Sequence, residues 1–434
     1  MTGLRKSKSK MDASETPRKH ASVGKHASES KTLNRNALSK KKTDLISVFQ
    51  KKSLKNFVKL GLPDPEKEPW RHISLEPILK AVEKNLGISA PSFAKGDFKK
   101  SVLNEPESMQ NVCNGIRVGS LNGFELEKGM LEDPEKEDNP FVLLNGLSFL
   151  DGSAVEITNA YTEGKELTLR VDIQERFSQP RLLIIVREGA CAELRISHAF
   201  REGNADLDPD SNQGMINTVM NIYCEDNASL SIIVDKPALI KNLIEKNEQK
   251  SRGTKQSLFF NTRVYCGRDS KVSITSFNGE HILSMQDIRV ELIEPGAECE
   301  LAGLSIVRGT NKAFTVTRVN HMAPECKSSQ LYKTILYDKG VTEFNGMVYV
   351  APAAQKTESR QVNHNLVLSD RAVAYTQPGL QILADDVQCS HGANVGQLNE
   401  EEVFYMKTRG LRDDEAKTAL IQGFINEILI KPSS

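Results

Sequence analysis

The feature that most constrains this chain is an alternation of aliphatic and polar residues, with a period of two, that keeps returning along its middle. Leu167, Leu169, Val171 and Ile173 alternate with polar neighbours. The pattern recurs at Val272 and Ile274, at Ile288, Val290 and Leu292, and over Thr315 to Val319. Successive side chains of an extended strand point to opposite faces, so this period predicts half-buried strands. Short turns punctuate them. Glu188-Gly189-Ala190, Asp226-Asn227-Ala228, Pro295-Gly296-Ala297 and Asp370-Arg371-Ala372 share a loose pattern, each leading into a strand, at spacings too irregular for a strict repeat. So many strands exceed one sandwich and leave a sandwich pair, a barrel or a β-solenoid. The recurring turn–strand unit favours the β-helix, whose coils bury inward side chains against one another.

The alternation fades at both ends, which gives four regions. Residues 1–42 are rich in Lys, Arg and Ser, with only Asp12, Glu15 and Glu29 as acidic counterweights. That composition buries too little to repay ordering and predicts a disordered basic tail, with a transit peptide as the alternative. Residues 43–110 read as a small helical region. Thr43 is its N-cap, Leu45, Ile46, Phe49, Phe57 and Leu60 fall near helical spacing, and Gly61 and Pro63 form the stop. A second helix is expected over Glu76 to Asn85, and Trp70, the only tryptophan, is expected as a core anchor. Residues 111–398 form the β core, interrupted by a polar loop at Glu202 to Gly214 and a helical pattern over Lys236 to Gln256. Residues 399–434 return to helix, first over Glu400 to Thr408, then from a capping Asp413. The stripe Leu420, Ile421, Phe424, Ile425, Ile428 and Leu429 must be covered, either by this chain or by a partner.

Several function classes fall away. Lys plus Arg and Asp plus Glu both number 57, which removes the whole-chain electrostatic case for nucleic acid. The longest aliphatic run, Leu182 to Val186, is far short of the roughly 20 residues a membrane helix needs, and no secretory leader is visible. Seven scattered cysteines without a CxxC pair argue against a disulfide framework and against a zinc finger or ferredoxin-type cluster held by this chain alone. A reducing, cytoplasmic-type compartment is expected. P-loop, HExxH, nucleophile-elbow and GxGxxG motifs are all missing.

One constellation carries chemistry: Asp385-Asp386-Val387-Gln388-Cys389-Ser390-His391-Gly392. On an extended segment Cys389 and His391 share a face, with Ser390 opposite. Thiolate beside imidazole suits iron or zinc, and both occur at iron–sulfur centres. Two ligands do not complete such a site, so further donors must come from another coil or another subunit. Asp385, Asp386 and His364 are weaker candidates, the last on a neighbouring coil. A β-helix enzyme acting on polysaccharide is a competing class, since such folds present carboxylates and basic residues in a shallow groove, which Asp385 and Asp386 with nearby Arg360 could imitate. The missing secretion signal and few aromatics weigh against it.

From Phe344 to Gly410 the chain includes FNGMVYVAPAAQKTESRQVNHNLVLSDRA, YTQPGLQILADDVQCSHGANVGQL and EEEVFYMKTRG, preceded near the start by GLPDPEKEPWRHISLEPIL. These segments resemble the SufD family of iron–sulfur cluster assembly proteins. The resemblance covers the last third and the surroundings of Trp70 and leaves residues 1–42 aside. It implies a mainly β protein, a right-handed parallel β-helix flanked by small helical regions. It further implies a non-enzymatic scaffold that pairs with a SufB homologue and binds a SufC ATPase through its C-terminal helices. Cys389 and His391 would then lie at the SufB–SufD junction as contributors to iron or a nascent cluster. Phe404, Tyr405, Leu420, Phe424 and Ile428 would organise the SufC-binding surface. SufB itself differs in carrying a cysteine near the strand of Asn363, where this chain has none between Cys326 and Cys389. The resemblance leaves open a homodimer, a flavin within the complex, an adaptor that never touches iron, and an organelle stroma or matrix as the compartment.

Overall fold

The computed structural model describes residues 46–61, 63, 70, 110–121, 124, 126, 130–148, 152–162, 164, 166–173, 177–200, 214–234, 254–279 and 281–429. The expected helix at Glu76 to Asn85, the basic tail and the polar loop lie outside the described residues. So does most of the 236–256 stretch, where a strand begins at Thr254. Helix α1 spans 46–60 and matches the predicted helical spacing. A hairpin of β1 (Gln110–Cys113) and β2 (Ile116–Ser120) leads to α2 (Pro140–Ser148) and β3 (Ser153–Ile157). Asn139 starts α2 by accepting the Phe141 N–H at 2.9 Å, with Pro140 as first helical residue.

After β4 (Leu167–Ile173) and the short β5 (Phe177–Ser178), the chain winds as a parallel β-helix. Each coil gives one strand to sheet A and one to sheet B. The pairs are β6 (Arg181–Val186) with β7 (Cys191–Phe200), β8 (Gly214–Cys224) with β9 (Ser229–Val234), and β10 (Thr254–Cys266) with β11 (Lys271–Asn278). They continue with β12 (His281–Leu292) and β13 (Glu298–Val307), β14 (Lys312–His321) and β15 (Lys327–Leu336), and β16 (Val341–Val350) and β17 (Thr357–Val367). The last pair is β18 (Val373–Ile382) and β19 (Val387–Gly396). Helices α3 (Glu400–Thr408) and α4 (Asp413–Leu429) follow. Asn399 caps α3 on the Glu401 N–H, ahead of three glutamates that suit the positive end of its dipole. Asp413, expected as a cap, is the first residue of α4 and pairs with Lys407 and Lys417.

The corners explain the loose turn pattern. Gly189, Asn227, Asp269, Gly296, Glu325 and Lys356 all have positive φ at the turn from sheet A to sheet B. Each donates its backbone N–H to a carbonyl in the next coil's turn, as Asp269 does to Pro295 and Lys356 to Asp386. The left-handed conformation aims that N–H along the solenoid axis, so a column of hydrogen bonds runs up one edge.

Inside, register stacks equivalent residues. Val272, Cys299, Ser328, Ser359 and Cys389 form one inward column of sheet B, and Ile274, Leu301, Gln330, Gln361 and His391 the next. The interior is aliphatic in the earlier coils, around Leu230, Ile232, Val264, Ile274 and Val290, and turns polar towards the C-terminal end. Burial pushes the internal thiols up, Cys266 to about 12. All seven cysteines are free thiols.

Outside, two covers pack on the sheets. Phe141 of α2 stacks on Phe259 of β10 at 4.0 Å, and Trp70 packs on Phe141 at 5.5 Å, so the tryptophan does serve as an anchor. Beside them Arg181 grips Glu132, and Arg263 grips Glu137 and Asp287, all buried. On sheet B, Ile425 and Ile428 of α4 are buried with Leu304, Ile306, Leu331 and Ile335. Among the described residues no helix is long and apolar enough to cross a membrane.

Candidate functional site

Among the described residues no strand follows the last coil. β18 pairs only with β16 and β19 only with β17, so each ends its sheet with one edge lacking a strand among the described residues. Such edges present backbone donors and acceptors ready for another chain. Apolar side chains accompany them: Val373, Tyr375 and Ile382 of β18, Leu383 in the corner, and Val395 of β19 are exposed.

Cys389 and His391 sit on this coil. Register places Cys389 over Ser359 and His391 over Gln361, so both point to the inner face and Ser390 to the outer. The structure therefore brings the thiol and the imidazole to one side of one strand. Cys389 is half-buried against the cluster of Val348, Val350, Ala351, Ala354 and Ala384, while His391 is exposed. Burial pushes the Cys389 thiol above its ordinary value, partly offset by the Ser359 backbone, so it carries its proton at neutral pH. Beneath it runs a hydroxyl column: Ser359 and Ser328 are 2.8 Å apart, and Ser328 meets the His321 Nε2 at 2.9 Å.

The weaker candidates separate from this pair. Asp385 and Asp386 are exposed in the corner between β18 and β19, where the Asp386 N–H donates to the Gln355 Oε1 at 3.0 Å and its carbonyl accepts from Lys356. His364 occupies the neighbouring coil as expected, but on the opposite side of sheet B. Its register partner is Lys333, which faces α4. The parity that joins Cys389 to His391 sends His364 outward, away from them. Arg360 also faces outward, into a groove of about 650 Å³ across sheet B, whose Lys271–Glu298 and Lys327–Glu358 pairs close at 3.1 and 3.4 Å. Asp385 and Asp386 do not line that groove. No group of three or more His, Cys, Asp or Glu side chains placed to hold a metal occurs among the described residues, so the Cys389–His391 pair has no third such donor there.

The C-terminal helices present a second surface. Phe404 and Tyr405 of α3 are 68% and 58% exposed, with the Arg409 guanidinium 5.1 Å from the Tyr405 ring centre. Phe404 also borders a cleft of about 570 Å³ with Tyr337, Leu398, Val403 and Ile421. The α4 stripe finds part of its cover within the chain, one of the two outcomes that the sequence leaves open. Ile428 is buried and Phe424 half-buried in the cluster on sheet B, so these two are taken up by their own chain; Leu420 is half-buried. Two features escaped the sequence reading: the apolar fringe of the last coil and the buried amide of Gln361. The replacement of inward aliphatics by Ser328, Gln330, Ser359 and Gln361 was the available signal for the second.

Comparison with known proteins bears on this open end. The family model described as "SUF system FeS cluster assembly, SufBD core domain" matches residues 169–424, more than half of the chain, from β4 to α4 and across Cys389 and His391. The chain belongs to the SufBD family. The chain is 33% identical over 251 residues to an iron-sulfur cluster assembly SufBD family protein of Synechocystis, covering 58% of this chain and 52% of that one. The iron-sulfur cluster assembly protein SufD of Escherichia coli is 43% identical over 114 residues, 26% of this chain and 27% of the relative. A chloroplastic protein of Arabidopsis thaliana, ABCI7, is 29% identical over 256 residues, 58% of this chain and 49% of the relative. The chain thus spans about half the length of the Synechocystis SufBD protein it matches.

Proposed function

We propose that this SufBD protein is a non-enzymatic scaffold on which iron–sulfur clusters are assembled as cargo at the open end of its β-helix. The observation that carries the reading is the placement of Cys389 and His391 on one face of the last coil, whose edges lack a further strand among the described residues and carry an apolar fringe. A sister β-helix, in the SufD family a SufB homologue, would add its strands to β18 and β19 and supply the further donors not found among the described residues. His391 offers an imidazole nitrogen to iron. Cys389, protonated when free, would lose its proton as iron engages it, because a metal binds the thiolate. Phe404 and Tyr405 suit a SufC ATPase docked on α3. A compartment that keeps thiols reduced, cytoplasm or organelle, fits the free cysteines.

The test is reconstitution with the SufB and SufC homologues, followed by iron analysis and visible absorbance. His391→Ala should leave the complex assembled and abolish its cluster signal, and Cys389→Ser should reduce it. An intact complex with a full cluster signal from His391→Ala would overturn the site and favour an adaptor that never touches iron.

A further inference from the structure

The strand register puts Gln361 directly beneath His391 on the inner face, one strand spacing away, about 4.8 Å. Gln361 is fully buried, and neither its Nε2 nor its Oε1 has a hydrogen-bond partner. Buried carboxamides are nearly always partnered, so one left bare below an exposed imidazole calls for an account.

The surroundings orient the amide. Its Nε2 lies over Gly346 of β16, where an added Cβ would collide with it, and the Phe344 ring closes the same side. The nitrogen branch is thus committed to the floor formed by sheet A, and the oxygen branch is left for a neighbour. In the coil below, Gln330 turns its Oε1 to the Thr317 hydroxyl at 2.7 Å. Its own unpartnered Nε2 can reach only one of the two lone pairs of the Gln361 oxygen. Above Gly346, across the interior from His391, stands Pro378, whose side chain neither donates nor accepts.

We infer that Gln361 is a positioning residue for His391. Its carboxamide oxygen, bare in this structure, would accept the N–H of a His391 ring nitrogen turned to the interior and so keep the lone pair on the nitrogen that faces out of the coil. A histidine presented to a metal is fixed in tautomer by the hydrogen bond its other nitrogen makes. That consequence rests on the reading of His391 as a cluster ligand; the hydrogen bond itself does not.

The tautomer is measured directly, without iron, on the full chain carrying ring-¹⁵N-labelled histidine at alkaline pH, with His391→Ala assigning the signal. The wild-type chain should show one dominant His391 tautomer. Gln361→Leu should shift the tautomer ratio by about tenfold, as the loss of one hydrogen bond implies. Gln361→Glu, which keeps an acceptor in place, should restore it. An unchanged ratio in folded Gln361→Leu, or a wild-type chain that already shows mixed tautomers, would overturn the inference. Should Gln361→Leu fail to fold, the wild-type and Gln361→Glu spectra still decide. Dependence of the tautomer on Gln361, combined with cluster assembly indifferent to His391→Ala, would uphold the positioning role and sink the cluster reading alone.

Discussion

Lys333 on β15 and Glu427 on α4 form an ion pair across the seam between sheet B and the C-terminal helix. The Lys333 ammonium also donates to the Phe424 carbonyl oxygen at 3.0 Å and lies 4.4 Å from the centre of the Phe424 ring. The pair is asymmetric, because the lysine side chain is 4% exposed and that of the glutamate 59%.

That asymmetry sets the first prediction. Glu427→Ala leaves a buried ammonium with weaker partners and should destabilise the chain by about 1–3 kcal/mol. Lys333→Met replaces the buried charge by an apolar chain of similar length and should cost less, about 1 kcal/mol. Urea midpoints of the two variants, with proteolysis of α4 as a local readout, make the comparison. The reverse order would show that attraction between the charges, rather than the cost of burying one, controls the seam.

The second prediction concerns acid. Burial alone would raise the Asp287 and Glu137 carboxyls, but the guanidiniums of Arg263 and Arg289 outweigh it and hold both below the usual carboxylate range. A carboxylate with a depressed folded pKa contributes stability that is present above its ordinary value and lost as pH falls through the folded one. Stability should therefore decline below about pH 4. Asp287→Asn should remove part of that decline and cost about 3–5 kcal/mol at neutral pH by leaving Arg263 under-paired. Denaturant titrations from pH 7 to 2.5 measure both.

How far the fold was legible follows from these elements. The β-helix was readable because strands such as Leu167–Ile173 keep one polar face, and α3 because Glu400–Thr408 is bounded by Asn399 and Gly410. The strict repeat was hidden. Corners recur 27 to 31 residues apart from Asp269 to Lys356, but the segments 201–213 and 235–253 lengthen earlier coils and blur the period. The left-handed corner also accepts Asn, Asp, Glu and Lys as well as Gly, so no single residue marks it. At the site, parity alone joined Cys389 to His391. Their exposure depends on which coil is last and uncovered, a property of the whole stack that no local pattern encodes. For the same reason the α4 stripe left open what covered it until sheet B was seen beneath Ile425 and Ile428.

The third prediction uses His321, fully buried in the interior column that includes Leu292 and Val350. Burial pushes its imidazole down to about 4. Between its ordinary value of about 6.5 and that figure, the unfolded chain binds a proton that the folded chain refuses. Stability should thus fall as pH drops through this window, by up to about 1.4 kcal/mol per unit, before the carboxylates begin to matter. His321→Leu, matching its column neighbours, should flatten the curve from pH 6.5 to 4 while changing stability at pH 8 by about 1 kcal/mol or less. A curve identical to the wild type would exclude His321 as the source.

The fourth prediction separates docking from folding. Phe404 and Tyr405 project from α3 without joining the cluster that holds α4 to sheet B. Replacing both with serine removes exposed aromatic surface and leaves Val403, the buried residue of the helix, in place. Thermal stability should therefore change little, within about 0.5 kcal/mol, as for surface positions generally. On the proposed docking of a SufC homologue, its binding should weaken at least tenfold, since exposed aromatics of this kind supply a large share of interface energy. The discriminating contrast is with Ile428→Ala, which should cost about 2–5 kcal/mol in stability through the cavity it opens beneath α4. Calorimetric titration of the ATPase against both variants reads the difference. Unweakened binding by the Phe404→Ser, Tyr405→Ser double variant would move the docking surface off α3.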